Sequence, residues 1–289
     1  MDVSIIVINY NTLRLTQACI ESVIKHTKDL EYEIILVDNA STDGSKELFK
    51  QDKRIKYIYS NENLGFGRAN NLGYKYSIGK YIFLLNSDTI LLNNAVYDFW
   101  RYAENADPSI ACLGSPLLST EGKIIHSFSS FPSIKSTIET IFNIYVRKKN
   151  EVSLLHHLPL LVDYVTGADL FIRKNVIEEH GFFSPDFFMY FEETELQFRY
   201  NQAGFLSMII PGPKIIHLEG VSVGGDNKKK GRKRVMFFKG MYVFMKKRYG
   251  FLKYSIFRII GLLYIPIVIR KDNTFEENKS LLNTILLGI

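Results

Sequence analysis

The feature that most constrains this chain is an alternation, sustained through its first half, of apolar runs of strand length with helical patterns. The runs are Val3 to Ile8, Ile34 to Val37, Ile55 to Tyr59 and Tyr81 to Leu85. Between the first two, Leu15, Cys19, Ile20, Val23 and Ile24 recur at helical spacing, and Arg68 to Ser77 reads as a further crossover helix. Such alternation marks βαβ units and a largely parallel sheet. Polar residues collect just after three of the runs: Asn9 and Tyr10, Asp38 and Asn39, and Asn86 to Asp88. Open α/β sheets bind ligands outside the carboxyl ends of their strands, so the three clusters are expected along one edge.

Beyond a further strand at Ile110 to Leu113 the pattern loosens from Ser115 to Leu161, with a helix expected near Ile134 to Val146. Regular structure is expected again at Tyr164 to Ile172, in a helix starting near Glu192, and at Leu206 to Ile210. Residues 1–225 thus read as one α/β domain. From there the composition shifts. Lys228, Lys229, Lys230, Arg232, Lys233 and Arg234 form a basic run, Lys246, Lys247 and Arg248 form a second, and Ile256 to Ile269 is strongly apolar but interrupted by Arg258, Gly261 and Pro266. That apolar stretch is short of the ~20 residues a spanning helix needs. Residues 226–289 are therefore expected to form a basic, amphipathic helical extension. Two readings of it stay open: an interfacial helix on an anionic membrane, or a helix packed on the α/β domain beside a solvated charge run.

An apolar fraction of 46% with a net charge of +6 excludes a disordered chain. Cys19 and Cys112 sit in apolar runs without the spacing of a disulfide framework or a zinc site, which favours a reducing compartment. Met1 and Asp2 lead straight into the first strand without a basic leader, so a cytoplasmic protein is expected. The basic run lacks any nucleic-acid-binding module around it, and nucleic acid is not an expected partner.

The turn after the first strand reads Asn9, Tyr10, Asn11, Thr12, without the glycines of a dinucleotide site, and no Walker lysine loop is present. A glycine-rich segment, Asn63 to Gly73, follows the third run instead. Asp38 at a buried strand end can accept from the imide N–H of uracil or thymine, although the residues up to Gly44 also make a competent turn and cap. Asp88 offers a hard oxygen to a divalent cation bridging two phosphates. His217, after an apolar strand, is a second ligand candidate. Glu192 and Glu193 follow five large apolar residues, Phe187 to Phe191. Burial and a like-charged neighbour would raise either carboxylate toward the range of a general base. Glu195 and Arg199, four apart, read as an intrahelical ion pair.

From Val3 to about Gly250 these residues together resemble the inverting family 2 glycosyltransferases of the GT-A fold, particularly the bacterial branch that includes rhamnosyltransferases. The resemblance implies a Rossmann-like, mixed and mainly parallel α/β sheet flanked by helices, followed here by the helical appendage. It implies that Asn9 and Tyr10 lie under the nucleotide, that Asp38 contacts the base, and that Asn63, Gly65, Phe66, Asn71 and Gly73 form the branch's Asn-x-Gly-Phe segment. Asn86-Ser87-Asp88 stands where the family has Asp-x-Asp, with Asp88 meeting a Mg2+ or Mn2+ ion and the diphosphate. Gly167 and Ala168 match the acceptor-side strand. Glu193 takes the place of the Asp that removes the acceptor proton, with Glu192 as the fallback. His217, with Gly220 and Ser222 downstream, matches the family's metal- or diphosphate-contacting His.

The activity so implied is transfer of a sugar, rhamnose among the candidates, from a UDP- or dTDP-sugar to a hydroxyl of a glycan or lipid-linked acceptor, with inversion, in cell-surface polysaccharide synthesis. The expected location is the cytoplasm, peripheral on the inner face of the plasma membrane. Asn86 and Glu193 depart from the family's usual acids, which leaves one alternative: a catalytically silent nucleotide-sugar-binding subunit of a polysaccharide assembly complex.

Overall fold

The computed structural model describes residues 1–136, 158–218, 227–262 and 274–287, the last two stretches being helical. They divide into two compact units. The first takes residues 1–131, 158–184 and 193–218, and the second takes 132–136, 185–192, 227–262 and 274–287. The helix expected near Ile134 to Val146 lies, past its first turn, outside the described residues, as do Gly220 and Ser222.

In the first unit the expected runs become strands β1 (Val3–Asn9), β2 (Tyr32–Asn39), β3 (Lys56–Ser60), β4 (Tyr81–Asn86) and β6 (Ile110–Gly114). Between them run α1 (Leu13–His26), α2 (Ser45–Phe49), α3 (Phe66–Tyr74) and α4 (Ala95–Asn105), and three-residue β5 (Thr89–Leu91) follows β4. Later come β7 (Leu117–Leu118), β8 (Phe128–Ser129), β9 (Leu160–Val162), β10 (Tyr164–Val165), β11 (Asp169–Arg173), α5 (Lys174–His180), α6 (Glu192–Gln202), β12 (Leu206–Ile209) and β13 (Ile215–His217). The main sheet has the order β3-β2-β1-β4-β11-β6-β12-β9. β1 to β4 are parallel, β11 runs against both β4 and β6, and β12 is again parallel to β6, so the sheet is mixed and mainly parallel.

Helices cover both faces because the strands are apolar on both. Cys19, Ile20 and Val23 of α1 and Val96, Phe99 and Ala103 of α4 pack on one side with Ile5, Val7, Phe83 and Phe171. Ala69 of α3, Val176 and Ile177 of α5, and Leu196 and Tyr200 of α6 pack on the other with Ile6, Ile35, Ile82 and Leu170. Phe83, Phe99 and Phe171 cluster with centroids 5.2 to 5.8 Å apart, Phe99 and Phe171 stacked and Phe83 tilted against both, each pair worth ~0.5–1.5 kcal/mol beyond its burial. Gly73 sets how closely α3 approaches the sheet, since a Cβ there would lie 2.7 Å from Ile6 Cγ2.

The second unit is built on α7 (Asn227–Leu262) and α8 (Phe275–Leu287). α7 breaks at Gly250, whose φ of +67° only glycine adopts freely. Its two parts bury Met241, Tyr242, Phe244 and Met245, and then Tyr254 and Phe257, while α8 buries Leu281 and Ile285. Tyr190 and Phe191 both have φ of +70°, and α7 lies so close to that turn that a Cβ on Gly240 would sit 2.5 Å from the Tyr190 carbonyl oxygen. Among the described residues, no helix is long and apolar enough to cross a membrane.

Candidate active site

The strand ends converge as the topology requires. Parallel register sets Asn9 beside Asp38 and Ile8 beside Asn86, so the three polar clusters share one edge. A chain of hydrogen bonds ties them together. Asp38 Oδ1 accepts from the Ser41 amide (3.0 Å), Ser41 Oγ accepts from Asn9 Nδ2 (3.0 Å), and Asn9 Oδ1 accepts from the Thr12 and Thr16 hydroxyls (both 2.9 Å). Thr12 Oγ1 then lies 3.2 Å from Ser87 Oγ, next to Asp88. Asn9 is fully buried within this network, whereas Tyr10 stands 48% exposed beside it.

Asp38 is fully buried, and its second oxygen accepts from the Tyr57 hydroxyl at 2.6 Å. Burial, reinforced by that carboxylate, raises the Tyr57 phenol, which stays a donor. A carboxylate has about four lone-pair directions, so these two bonds leave acceptor capacity at Asp38.

In the glycine-rich segment, Asn39 donates to Asn63 Oδ1 (2.9 Å) and accepts from the Leu64 amide (2.8 Å), and Asn63 Oδ1 accepts from the Gly65 amide (2.9 Å). Gly65 caps α3 with φ of +77°. Asn71 meets the backbone at Phe183: its side-chain NH2 donates to the Phe183 carbonyl (2.8 Å) and its side-chain oxygen accepts from the Phe183 amide (3.1 Å). Both ends of the Asn71 side chain thus tie α3 to the backbone at Phe183.

Asp88 and His217 meet through a small three-stranded sheet, β5-β13-β7, that the sequence patterns did not show. Antiparallel pairing places His217 opposite Thr89, and the Leu218 amide donates to the Asp88 carbonyl at 2.8 Å. His217 Nε2 then lies 3.3 Å from Asp88 Oδ1, with both side chains about nine-tenths buried. Thr89 Oγ1 donates to the Asn86 carbonyl (2.7 Å), fixing the turn that carries Asn86 and Asp88.

A carboxylate and an imidazole nitrogen converging on one point suit Mg2+ or Mn2+ as a partial donor set. Among the described residues no three His, Cys, Asp or Glu side chains form a metal site. Two protein ligands would leave room on such a cation for a diphosphate and water.

Gly167 and Ala168, expected on the acceptor side, join the same edge. The Asn86 amide donates to the Ala168 carbonyl at 3.0 Å as β11 pairs with β4. Gly167 packs against the Phe66 ring, where a Cβ would come within 3.2 Å of the ring edge. Glu193, in the first turn of α6, is raised above the ordinary carboxylate range by burial, and the backbone N–H groups of Glu193, Thr194 and Gly167 pull it part of the way back. Glu192, the first residue of α6, is 3% exposed. Gln197 fixes the helix by clasping both the amide and the carbonyl of Val165, each at 2.8 Å. Glu195 and Arg199 form the expected ion pair, at 3.2 Å.

Asp169 escaped the sequence reading. It is fully buried, and its Oδ2 accepts from the Ser115 amide (2.8 Å) and hydroxyl (2.6 Å). Burial pushes its pKa up to about 7, against the Ser115 bonds and the nearby His217, which lower it. Its place at the head of an apolar strand hid it.

Residues 4–181 match the family model described as Glycosyl transferase family 2. The chain belongs to the family 2 glycosyltransferases. A glycosyltransferase of Rickettsia bellii, itself uncharacterized, is 34% identical over 145 residues, 47% of this chain and 21% of that one. This glycosyltransferase chain thus spans about a fifth of the length of that relative. The N-acetylglucosaminyl-diphospho-decaprenol L-rhamnosyltransferase of Mycobacterium tuberculosis is 23% identical over 235 residues, 75% of each chain. Among solved structures, a mannosyltransferase from Pyrobaculum calidifontis in complex with GDP-Man and Mn2+ superposes with a TM-score of 0.59 at 13% identity, over 99% of this chain and 80% of that one. At that identity the likeness concerns the fold, which is of the GT-A type expected.

Proposed function

We propose that this glycosyltransferase moves a sugar from a UDP- or dTDP-sugar to a hydroxyl of a glycan or lipid-linked acceptor, with inversion at the anomeric carbon. The observation that carries the proposal is the meeting of Asp88 and His217, 3.3 Å apart, on the sheet edge where the Asn86 amide donates to the Ala168 carbonyl, next to Gly167, whose backbone N–H is among the groups that act on the Glu193 carboxyl. A candidate base and a candidate diphosphate site thus share one sheet edge. The mycobacterial relative's name, with its lipid-linked acceptor and rhamnosyl donor, supports a deoxyhexosyl transfer in cell-envelope polysaccharide synthesis.

In this scheme the nucleotide lies across the carboxyl edge, with Tyr10 and the Asn63–Gly65 turn against it and Asp38, steadied by Tyr57 and Ser41, beneath the base. Asp88 and His217 would hold a Mg2+ or Mn2+ ion, which supplies neutralising charge for the departing diphosphate. Glu193 takes the proton of the acceptor hydroxyl. The acceptor oxygen bonds to the anomeric carbon as the bond from that carbon to the diphosphate breaks, and the nucleoside diphosphate leaves with the electron pair. One displacement inverts the configuration and forms no sugar bond to the protein. The acceptor's lipid places the work at the inner face of the plasma membrane.

A thermal-shift screen of UDP, dTDP, GDP and their sugars, with and without Mn2+, tests the donor half, because a ligand bound only by the native state raises its melting temperature. A UDP or dTDP ligand is expected to stabilise the protein, more so with Mn2+. Proton NMR of the transferred sugar tests inversion. Donor binding without transfer to any acceptor would instead favour a silent nucleotide-sugar-binding subunit.

A further inference from the structure

We infer that the exposed apolar face of the helix following Gly250 is a docking surface for an anionic lipid bilayer. On a helix of about 3.6 residues per turn, residues 251–262 present two apolar sides. Tyr254 (5% exposed) and Phe257 (1%) face inward, and Gly261 joins them. A Cβ on Gly261 would lie 2.2 Å from the Tyr242 hydroxyl oxygen, so that side is packed as closely as the fold permits. On the opposite side Phe251 is 83% exposed, Leu252 75%, Ile256 50%, Ile259 64% and Leu262 40%. Five large apolar side chains on one solvent-facing stripe are not scattered surface residues of the kind every protein carries.

The charges around the stripe name its partner. Lys253 is exposed at one margin, and Arg258 lies at the other, reaching over the Tyr254 ring and donating to the Ile285 and Leu286 carbonyls at the end of α8. Lys246 and Lys247 are exposed just before the break, Lys247 pairing with Asp186. α7 contains no Asp or Glu, and the sequence beyond it runs through further apolar residues to Arg270 and Lys271. An apolar stripe bordered by cations supplies both attractions of an interfacial helix: the apolar side sinks to the acyl boundary while the basic side chains meet anionic headgroups.

A second copy of this chain fits less well. Twelve helical residues make a face about 18 Å long, which offers on the order of 200 Å2, against the roughly 800 Å2 that each partner contributes to a stable dimer. The bilayer inference extends the lipid-linked acceptor reading but needs none of the chemistry at the sheet edge.

The test is flotation of the full chain with vesicles of equal parts phosphatidylcholine and phosphatidylglycerol, compared with phosphatidylcholine alone. The protein is expected to bind the mixed vesicles and to be released by salt. L252E/I259E should lower the partition coefficient at least tenfold, and the milder F251S/I256S by an intermediate factor, with the melting temperature and UDP binding unchanged. UDP binding reports the sheet edge separately, so failure there would leave the lipid result standing, and the reverse. Vesicle binding that survives L252E/I259E would overturn the inference. So would equal binding to both vesicle types, a variant melting temperature lowered because the stripe is covered within the chain, or a wild-type dimer that L252E/I259E converts to a monomer.

Discussion

His217 Nε2 lies 3.3 Å from Asp88 Oδ1 although the two residues are 129 positions apart in the sequence (217 − 88). The pairing of β5 with β13 makes the meeting, and it joins a carboxylate that follows β4 to an imidazole that ends β13. Asp88→Asn should lower sugar transfer by about 10²–10³-fold, the loss typical of removing one preorganised charge-stabilising group. It should also abolish the extra thermal stabilisation that Mn2+ gives to bound UDP, and His217→Ala should weaken that stabilisation in the same direction. Undiminished Mn2+ dependence in both variants would show that the pair holds no cation.

Gln197 clasps the Val165 backbone on both sides and is 1% exposed. Gln197→Leu leaves a buried amide and a buried carbonyl unbonded, at ~1–3 kcal/mol each. Denaturant unfolding should show a loss of about 2–6 kcal/mol. Because α6 carries Glu193, kcat should fall while affinity for UDP holds.

Asp169 gives the fold a pH dependence. Its folded pKa of about 7 stands above the ordinary carboxylate value, so the native state holds a proton that the unfolded chain has lost. Stability contributed by the protonated form is therefore present in full below about pH 4 and is lost as pH rises through about 7. At about 1.4 kcal/mol per pH unit, the total is on the order of 4 kcal/mol. Melting in EDTA should show a fall between pH 5 and pH 8 that Asp169→Asn flattens. An equally steep fall in the variant would assign the effect to other groups.

Burial pushes the thiols of Cys19 and Cys112 up to about 12. Only the thiolate reacts quickly. Neither cysteine should be labelled by iodoacetamide in the native protein at pH 8, and both should be labelled in urea. Rapid native labelling would contradict the packing of α1 on one face of the sheet at Cys19, or of the opposite face at Cys112.

Much of the fold was legible because its strands are buried on both faces and read as continuous apolar runs: β1, β2, β3 and β4 lie within a residue or two of the expected spans. The convergence of Asn9, Asp38 and Asn86 followed from topology alone. What stayed hidden was short or tertiary. The apolar strand before His217 was legible, but β5 has only three residues, too few to show a period, and its pairing with β13 is what gives His217 its place. α3 starts two residues earlier than its pattern, because Gly65 turns the chain just ahead of Phe66. The use of Asn71 on the Phe183 backbone, and of Gln197 on that of Val165, depends on partners far away in the chain, and no local motif announces an amide clasp.

The proposed transfer rests most directly on Glu193, and steady-state kinetics of Glu193→Gln with the donor identified by thermal shift is the measurement that tests it. Because burial raises the Glu193 carboxyl, wild-type kcat/KM should climb with pH as that group loses its proton, from an acid limb placed above the usual carboxylate range. Glu193→Gln should bind UDP as tightly as wild type and transfer sugar ~10²–10⁴-fold more slowly, with the limb gone. Glu192→Gln should retain most of the activity. Wild-type rates from Glu193→Gln, or an unchanged acid limb, would contradict the account.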